Sequence, residues 1–320
     1  MAFFFGFNGL ASVYHPHLID PGSPDFVHRL FYAYRRDFIR LRFDAQLYLS
    51  GKALRLLTGF THNRFFVDPP LADESTRATD QSKSLLEYYQ QWSLIDAGES
   101  TGGTINLFSL GVVYDTRNDY CYCTDGKWFE AFVVVSPRSI STSSFSKFIV
   151  TYRQHASFFG ENLTFSYRIS SQQKLFGRIP FYFLPTYIDS RLSHDGVGGA
   201  FNLRGAMRNR MIGDGFLVGN FEAKARVLQF EVVGQEFFAS LAVFFDTAII
   251  SQRFEKDLSQ IPEEVSAIHF RENRQMPQMT FGPGLYIVFN KKNAISVNYG
   301  LSANPQTGIG GLYVGSSLLF

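Results

Sequence analysis

Apolar and polar residues alternate one by one along several segments of this chain. The clearest segment lies between Phe38 and Leu49. Its apolar set is Ile39, Leu41, Phe43, Ala45, Leu47 and Leu49, and its polar set is Arg40, Arg42, Asp44, Gln46 and Tyr48. Because successive side chains of a β-strand point to opposite faces, this pattern predicts a strand with one apolar and one polar face.

The same alternation recurs from Leu163, from Gly219, from Ile295 and in the last segment before Phe320. It predicts twelve strands, separated by alternating short turns and long connections, as in membrane β-barrels. They are expected near residues 26–36, 38–49, 53–63, 104–115, 127–136, 146–157, 161–171, 216–229, 236–248, 279–290, 293–302 and 310–320. Short turns are expected near Arg36, Gly51, Gly160 and Lys291, and a short surface helix within the long connection 64–103.

Composition narrows the kind of β-protein. Aromatic residues make up 17% of the chain and charged residues 18%, against roughly 25% charged in an ordinary soluble domain. Mean hydropathy is only −0.05, and no run of about 20 apolar residues is present, which excludes a helical membrane protein. Four polar side chains in a row, those of Asn220, Glu222, Lys224 and Arg226, face one side and suit a wet barrel lumen better than a protein core. The predicted fold is therefore an all-β, transmembrane antiparallel β-barrel with about twelve strands.

Little in the sequence indicates catalysis, metal binding or nucleic-acid binding. A net charge of +2 gives no electrostatic case for nucleic acid. No nucleophile elbow, His-Glu-x-x-His motif or phosphate loop is present, so we predict no enzyme activity and no cofactor. Cys121 and Cys123 are interpreted as incidental loop thiols, since a disulfide across one residue would be strained. The seven histidines are scattered, and no metal site is expected.

Three motifs of the chain form a recognisable set. They are "FSLGVVYDTRNDYCYCTDGKWFEAFV" (108–133), "FNLRGAMRNRMIGDG" (201–215), and the pair "GNFEAKARV" (219–227) and "LAVFFDTAI" (241–249). Together they resemble the outer-membrane protein 85 superfamily, also called bacterial surface antigens. The resemblance implies a barrel in the bacterial outer membrane, closest to those of Bacteroidetes-type bacteria. It would insert outer-membrane proteins or translocate polypeptides across that membrane. Its partners would be membrane lipid, client outer-membrane proteins and other assembly subunits.

The resemblance also implies a loop that folds back into the lumen, carrying Leu203, Arg204 and Gly205 within the connection 172–215. A guanidinium inside a barrel needs a carboxylate, and Asp246 and Glu222 fall on lumen faces by parity. We therefore expect Arg204 to pair with Asp246, with Glu222 as a second acceptor.

Two further elements of the chain match the family pattern. Asp115, Arg117 and Gly126 match a family strand-and-turn motif, which we interpret as structural, although Asp115 and Arg117 could instead be simple rim charges. The terminal Phe320 resembles the C-terminal recognition signal of outer-membrane barrels.

The chain departs from the family in its strand count. Family barrels have sixteen strands with the inward loop after the eleventh, whereas seven predicted strands precede the loop here and five follow it. We interpret residues 1–320 as a single barrel domain truncated at its N-terminus; the alternative is a short family member with a smaller closed barrel. Alternative functions are a passive pore or structural barrel, or the membrane anchor of an absent N-terminal domain.

Overall fold

The computed structural model describes residues 6–7, 14–69, 83–191, 194–255, 259, 261, 263, 270, 276–290 and 293–316. Nearly all of its regular structure is β-strand. The strands are β1 (Gly6–Phe7), β2 (Ala33–Ser50), β3 (Leu54–Asp68), β4 (Gly102–Asp115), β5 (Gly126–Ser136), β6 (Phe145–Phe158), β7 (Leu163–Gly177), β8 (Thr186–Tyr187), β9 (His194–Asp195), β10 (Gly215–Val232), β11 (Gln235–Gln252), β12 (Gln278–Phe289), β13 (Asn293–Ser302) and β14 (Gly311–Gly315). A 3₁₀ turn covers Pro16–Leu18, and one α-helix, α1, covers Leu85–Gln91.

Twelve of these strands form one antiparallel sheet, in which each strand lies beside its neighbour in sequence except that β7 pairs with β10. The two short strands left out, β8 and β9, pair with each other inside the β7–β10 connection. Among the described residues β14 pairs only with β13, so the sheet is not closed by strand pairing there. Near one end of the sheet the backbone N–H of Tyr14 donates to Gln306 Oε1 at 2.8 Å, which brings the first and last hairpins together.

The two faces of the sheet differ in the way the alternation predicts. On β7, Phe165 and Ile169 are 48% and 45% exposed on the outer face, whereas Thr164 and Arg168 are buried on the inner face. The predicted all-β antiparallel fold is thus confirmed. The inner polar residues Asn220, Glu222 and Lys224 are buried, because two inward-folded segments cover them: the connection 178–214 contacts Asn220 and Glu222, and Tyr122 of the β4–β5 turn contacts Lys224.

Short and long connections lie at opposite ends of the sheet, because successive strands run in opposite directions. At the end with short connections, hairpins turn at 51–53, 159–162 and 233–234. At the other end, the connections 69–101 and 178–214 are long. The β4–β5 turn, 116–125, belongs to the short-connection end but folds inward. Its buried Tyr122 packs edge-on against Phe238, with the two ring centroids 4.8 Å apart.

One predicted strand is wrong. Residues 26–36 do not form a separate strand with a turn near Arg36, since β2 runs unbroken from Ala33 to Ser50. The charged "RRD" sequence suggested a turn, but Arg35 donates to Asp37 at 2.8 Å, so the two charges neutralise each other within the strand. Pairing with β3 continues through this segment, with Asp37 opposite Phe66.

Helix α1 forms within the predicted segment, but it is not a surface helix. Ser84 caps the helix, and the backbone N–H of Ser84 donates to Glu87 Oε2 at 2.7 Å. Leu85, Leu86 and Tyr89 are fully buried. No helix in the described part of the chain is long and apolar enough to cross a membrane.

The helix belongs to an apolar core that we call the plug. The plug consists of Phe31, Tyr32, Tyr34, Leu85, Leu86, Tyr89, Phe181, Tyr182, Phe183 and Leu184. It is joined to the sheet where the ring centroids of Phe65 and Tyr182 lie 5.3 Å apart. Segments distant in sequence therefore fill the interior near the long-connection end.

Candidate functional site: the inward loop and its anchor

The connection 178–214 lies against the inner face of the sheet, held there by side chains of β7 and β10. Gln172 Nε2 donates to the carbonyl oxygen of Ile188 at 2.7 Å. Arg168 donates to the carbonyl of Phe201 at 2.8 Å, and Asn220 Nδ2 to that of Asn202 at 2.9 Å. Sheet side chains thus satisfy loop backbone groups that would otherwise be buried without partners.

The Leu-Arg-Gly motif sits at the centre of this loop. Leu203 is fully buried in an apolar cluster with Val197 and Phe216. Gly205 has φ +103°, and a Cβ there would lie 2.8 Å from the backbone of Gly300 on β13. Only glycine therefore allows the loop to approach the sheet this closely.

Arg204 joins the loop to two carboxylates on neighbouring strands. Its Nε and Nη2 donate to the two carboxylate oxygens of Asp246 at 2.9 and 3.0 Å. Its Nη1 donates to Glu222 Oε2 at 2.8 Å, and its backbone N–H also donates to Asp246, at 3.1 Å. The Arg204 and Asp246 side chains are 1% and 0% exposed, so the pair is shielded from solvent. The structure therefore brings together the three residues that the sequence singled out.

Further groups hold this ion cluster in place. The Arg204 guanidinium lies 3.6 Å from the ring centroid of Phe244, a cation–π contact. Tyr286 donates its hydroxyl proton to Glu222 Oε2 at 2.8 Å, and Asn220 Nδ2 donates to Asp246 Oδ1 at 2.8 Å. Side chains from β10, β11 and β12 thus converge on one loop residue. This arrangement can fix a loop, but it presents no nucleophile beside a general base.

The strand-and-turn motif forms a second buried ion cluster at the short-connection end. Asp115 accepts from Arg117 Nε at 3.0 Å and from Arg55 at 2.9 Å. All three side chains are largely buried, so they are not solvent-exposed charges at the rim. Gly126 has φ +113°, and a Cβ there would meet the carbonyl oxygen of Thr116 at 2.4 Å. The motif therefore closes the inward β4–β5 turn.

Other residues considered in the sequence have different positions. Phe320 lies outside the described residues. Cys121 and Cys123 are free thiols, and burial raises the pKa of both. His15 and His17 have ring centroids 5.2 Å apart, and the described residues contain no group of three or more potential metal ligands.

Trp128 is a contact residue that our sequence analysis did not single out. Its ring centroid lies 4.6 Å from the guanidinium carbon of Arg117 and 5.7 Å from that of Arg153. The alternation along β5 could have indicated its inward position, because Trp128 and Glu130 share the inner face of that strand. Phe132 and Val134 are buried on the same face, and these apolar inward positions point to a packed interior rather than a water-filled one.

Comparisons with known proteins show which solved structure this fold resembles. No family model matches the chain, and no curated protein matches it. The structure is similar to the crystal structure of BamA from Haemophilus ducreyi lacking POTRA domains 1–3, with a TM-score of 0.58 and 12% sequence identity. The match covers 89% of this chain and 55% of that one, so the chain spans little more than half the length of the BamA chain.

Proposed function

We propose that this chain is the barrel portion of a bacterial outer-membrane protein that inserts other outer-membrane proteins or translocates polypeptides across that membrane. The observation that carries this proposal is the Arg204 anchor. It holds a long loop inside a sheet whose fold is similar to that of the BamA barrel. A buried arginine with two carboxylates is costly to desolvate, so its presence argues for a required loop position.

The outer face supports placement in a membrane. Phe43, Leu110 and Val243 are 68%, 61% and 65% exposed, and they lie on three different strands. A water-soluble protein rarely exposes so extended an apolar surface, whereas a lipid bilayer covers it. Membrane lipid is thus the first proposed partner, with client proteins and other assembly subunits as further partners.

The filled interior weighs against a wide passive pore. The plug occupies the long-connection end, and Tyr122 and the Arg204 cluster occupy positions deeper inside. A porin-type channel needs a continuous water-filled path between its two ends. The filled interior suits a barrel that works on polypeptides through its wall or its rims, or that serves as a membrane anchor.

Depletion of the protein in its own bacterium tests the proposal. We expect the amounts of folded outer-membrane proteins, measured by quantitative proteomics of purified outer membranes, to fall severalfold on depletion. The wild-type gene should restore them, Arg138→Gln should restore them equally, and Arg204→Gln should not. Arg138 is an exposed arginine in the β5–β6 turn and supplies the matched control.

Unchanged outer-membrane protein and surface-polypeptide levels after full depletion would refute the assembly and translocation roles. Recovery of the chain in a soluble fraction would refute the membrane location.

A further inference from the structure

A second group of buried charges surrounds Trp128, where the inward turn 116–125 meets the inward loop 178–214. We call it the basic cluster and define it as Arg55, Arg117, Arg153 and Arg191. The guanidinium carbons of Arg55, Arg117 and Arg153 all lie within 5.7 Å of the Trp128 ring centroid. Arg191 comes from the loop, and its backbone N–H donates at 2.7 Å to Asp189, the carboxylate that pairs with Arg153.

The cluster holds more cations than anions. Its carboxylates are Asp115, which pairs with Arg55 and Arg117, Asp189, which pairs with Arg153, and Glu130. Burial favours the neutral form of Asp189, but Arg153 and the backbone N–H of Arg191 lower its pKa overall. Three carboxyl groups thus face four guanidinium groups.

Arg168 adds to the imbalance. It lies directly opposite Arg153 on the neighbouring strand, and among the described residues its side chain donates to two neutral acceptors, Asn220 Oδ1 and the carbonyl of Phe201. Like charges opposite each other in a sheet are destabilising unless an anion compensates them. Buried cations need such a partner, since their desolvation is otherwise uncompensated.

Several donors of the cluster have no acceptor among the residues that the structure describes. They are Nε of Arg55, Nη1 of Arg117, and both Nε and Nη1 of Arg153; the Arg117 and Arg153 side chains are 2% and 1% exposed. Arg191, in contrast, is exposed. Planar guanidinium donors match the oxygens of phosphate, often two at a time.

We propose that the basic cluster is a binding site for a tetrahedral oxyanion of the phosphate class, held by Arg117, Arg153 and Arg191. The anion accepts the unpaired guanidinium protons and balances the excess positive charge. It thereby ties the β4–β5 turn to the inward loop. The ligand is either free phosphate or the phosphomonoester of a lipid headgroup.

Calorimetric titration of inorganic phosphate into the full chain, folded in detergent micelles, tests this proposal. Chloride at matched ionic strength serves as the reference. We expect saturable binding at one site by the wild-type protein and about tenfold weaker binding by Arg191→Gln, which removes one of the three cationic contacts. Arg138→Gln removes the same charge outside the cluster and should bind as the wild type does. Phosphate should also raise the unfolding temperature of the wild type, since it binds the folded state.

Two results would overturn the proposal: no saturable binding of phosphate beyond the chloride reference, or equal weakening by Arg191→Gln and Arg138→Gln. Arg191→Gln is preferred to Arg153→Gln, because loss of Arg153 would leave Asp189 buried without its cation. Folding of each variant is checked by its electrophoretic shift on heating. Phosphatidic acid added to the micelles distinguishes the two sources, since a headgroup ligand would displace bound phosphate and a free anion would not be displaced.

Discussion

Arg204 is the residue that anchors the inward loop to the sheet. It combines a bidentate contact with Asp246, a contact with Glu222 and a stacking contact with Phe244. Arginine suits this position because its planar donors reach two carboxylates at once, which a lysine ammonium cannot do with the same geometry. Holding the two carboxylates therefore uses both the positive charge of Arg204 and the planar geometry of its guanidinium group.

Replacing Arg204 should separate the effect of charge from that of geometry. Arg204→Gln removes the ion-pair partner of the buried Asp246 and leaves Glu222 with only Lys224 Nζ, 3.9 Å away, so it should destabilise the folded chain by about 3–5 kcal/mol. Arg204→Lys keeps the charge and should cost less. Urea unfolding in micelles, followed by tryptophan fluorescence, measures both, with Arg138→Gln as the control. Equal stability of Arg204→Gln and the control would mean that the pair does not hold the loop.

The residues of this anchor could be chosen from the sequence, because parity puts Glu222 and Asp246 on the inner faces of adjacent strands and the motif names Arg204. The residues that surround the anchor could not be chosen from the sequence. The contacts of Phe244, Tyr286 and Trp128 depend on sheet register and on how two segments fold inward, and neither follows from the alternation of single strands.

At the level of elements, the alternation predicted the strands better than it predicted the connections. Period-two patterns give strand faces directly, so β10 and β13 lie close to their predicted ranges, whereas β7 runs six residues beyond its predicted end. Helix α1 was expected within its segment, but its burial was not, since a seven-residue helix shows too few turns to reveal which face is covered. The error at residues 26–36 has a similar origin, because charges suggested a turn where a neighbouring strand stabilises an extended chain.

The buried face of α1 gives a prediction about the plug. Leu86→Ala should destabilise the folded chain by about 2–5 kcal/mol, because it removes a fully buried side chain from a packed core. Gln91→Ala changes an exposed position of the same helix and should have an effect within about 0.5 kcal/mol. Urea unfolding compares the two variants. Similar midpoints for both would indicate that the helix does not pack inside the barrel in solution.

At the scale of the whole molecule, the sheet separates two environments. Its outer face is apolar on successive strands, and its inner face carries buried charges that are largely paired with one another and with the inward segments. A water-soluble β-protein instead carries polar side chains on its outer face, whereas the interior here combines the apolar plug with buried ion pairs. The proposed membrane location would cover this apolar outer face with lipid.

That separation makes the membrane environment testable with one pair of substitutions. Val243 lies in the middle of β11 on the outer face, whereas Val233 is 93% exposed in the β10–β11 hairpin. In lipid vesicles, Val243→Arg should destabilise folding by about 2–4 kcal/mol, because the charge lies near the bilayer midplane, and Val233→Arg by about 0–1 kcal/mol. Reversible denaturant titration of the vesicle-bound protein measures both. If the two arginines cost the same, the outer face does not contact the hydrocarbon core, and the outer-membrane assignment would fail together with the proposed lipid partner.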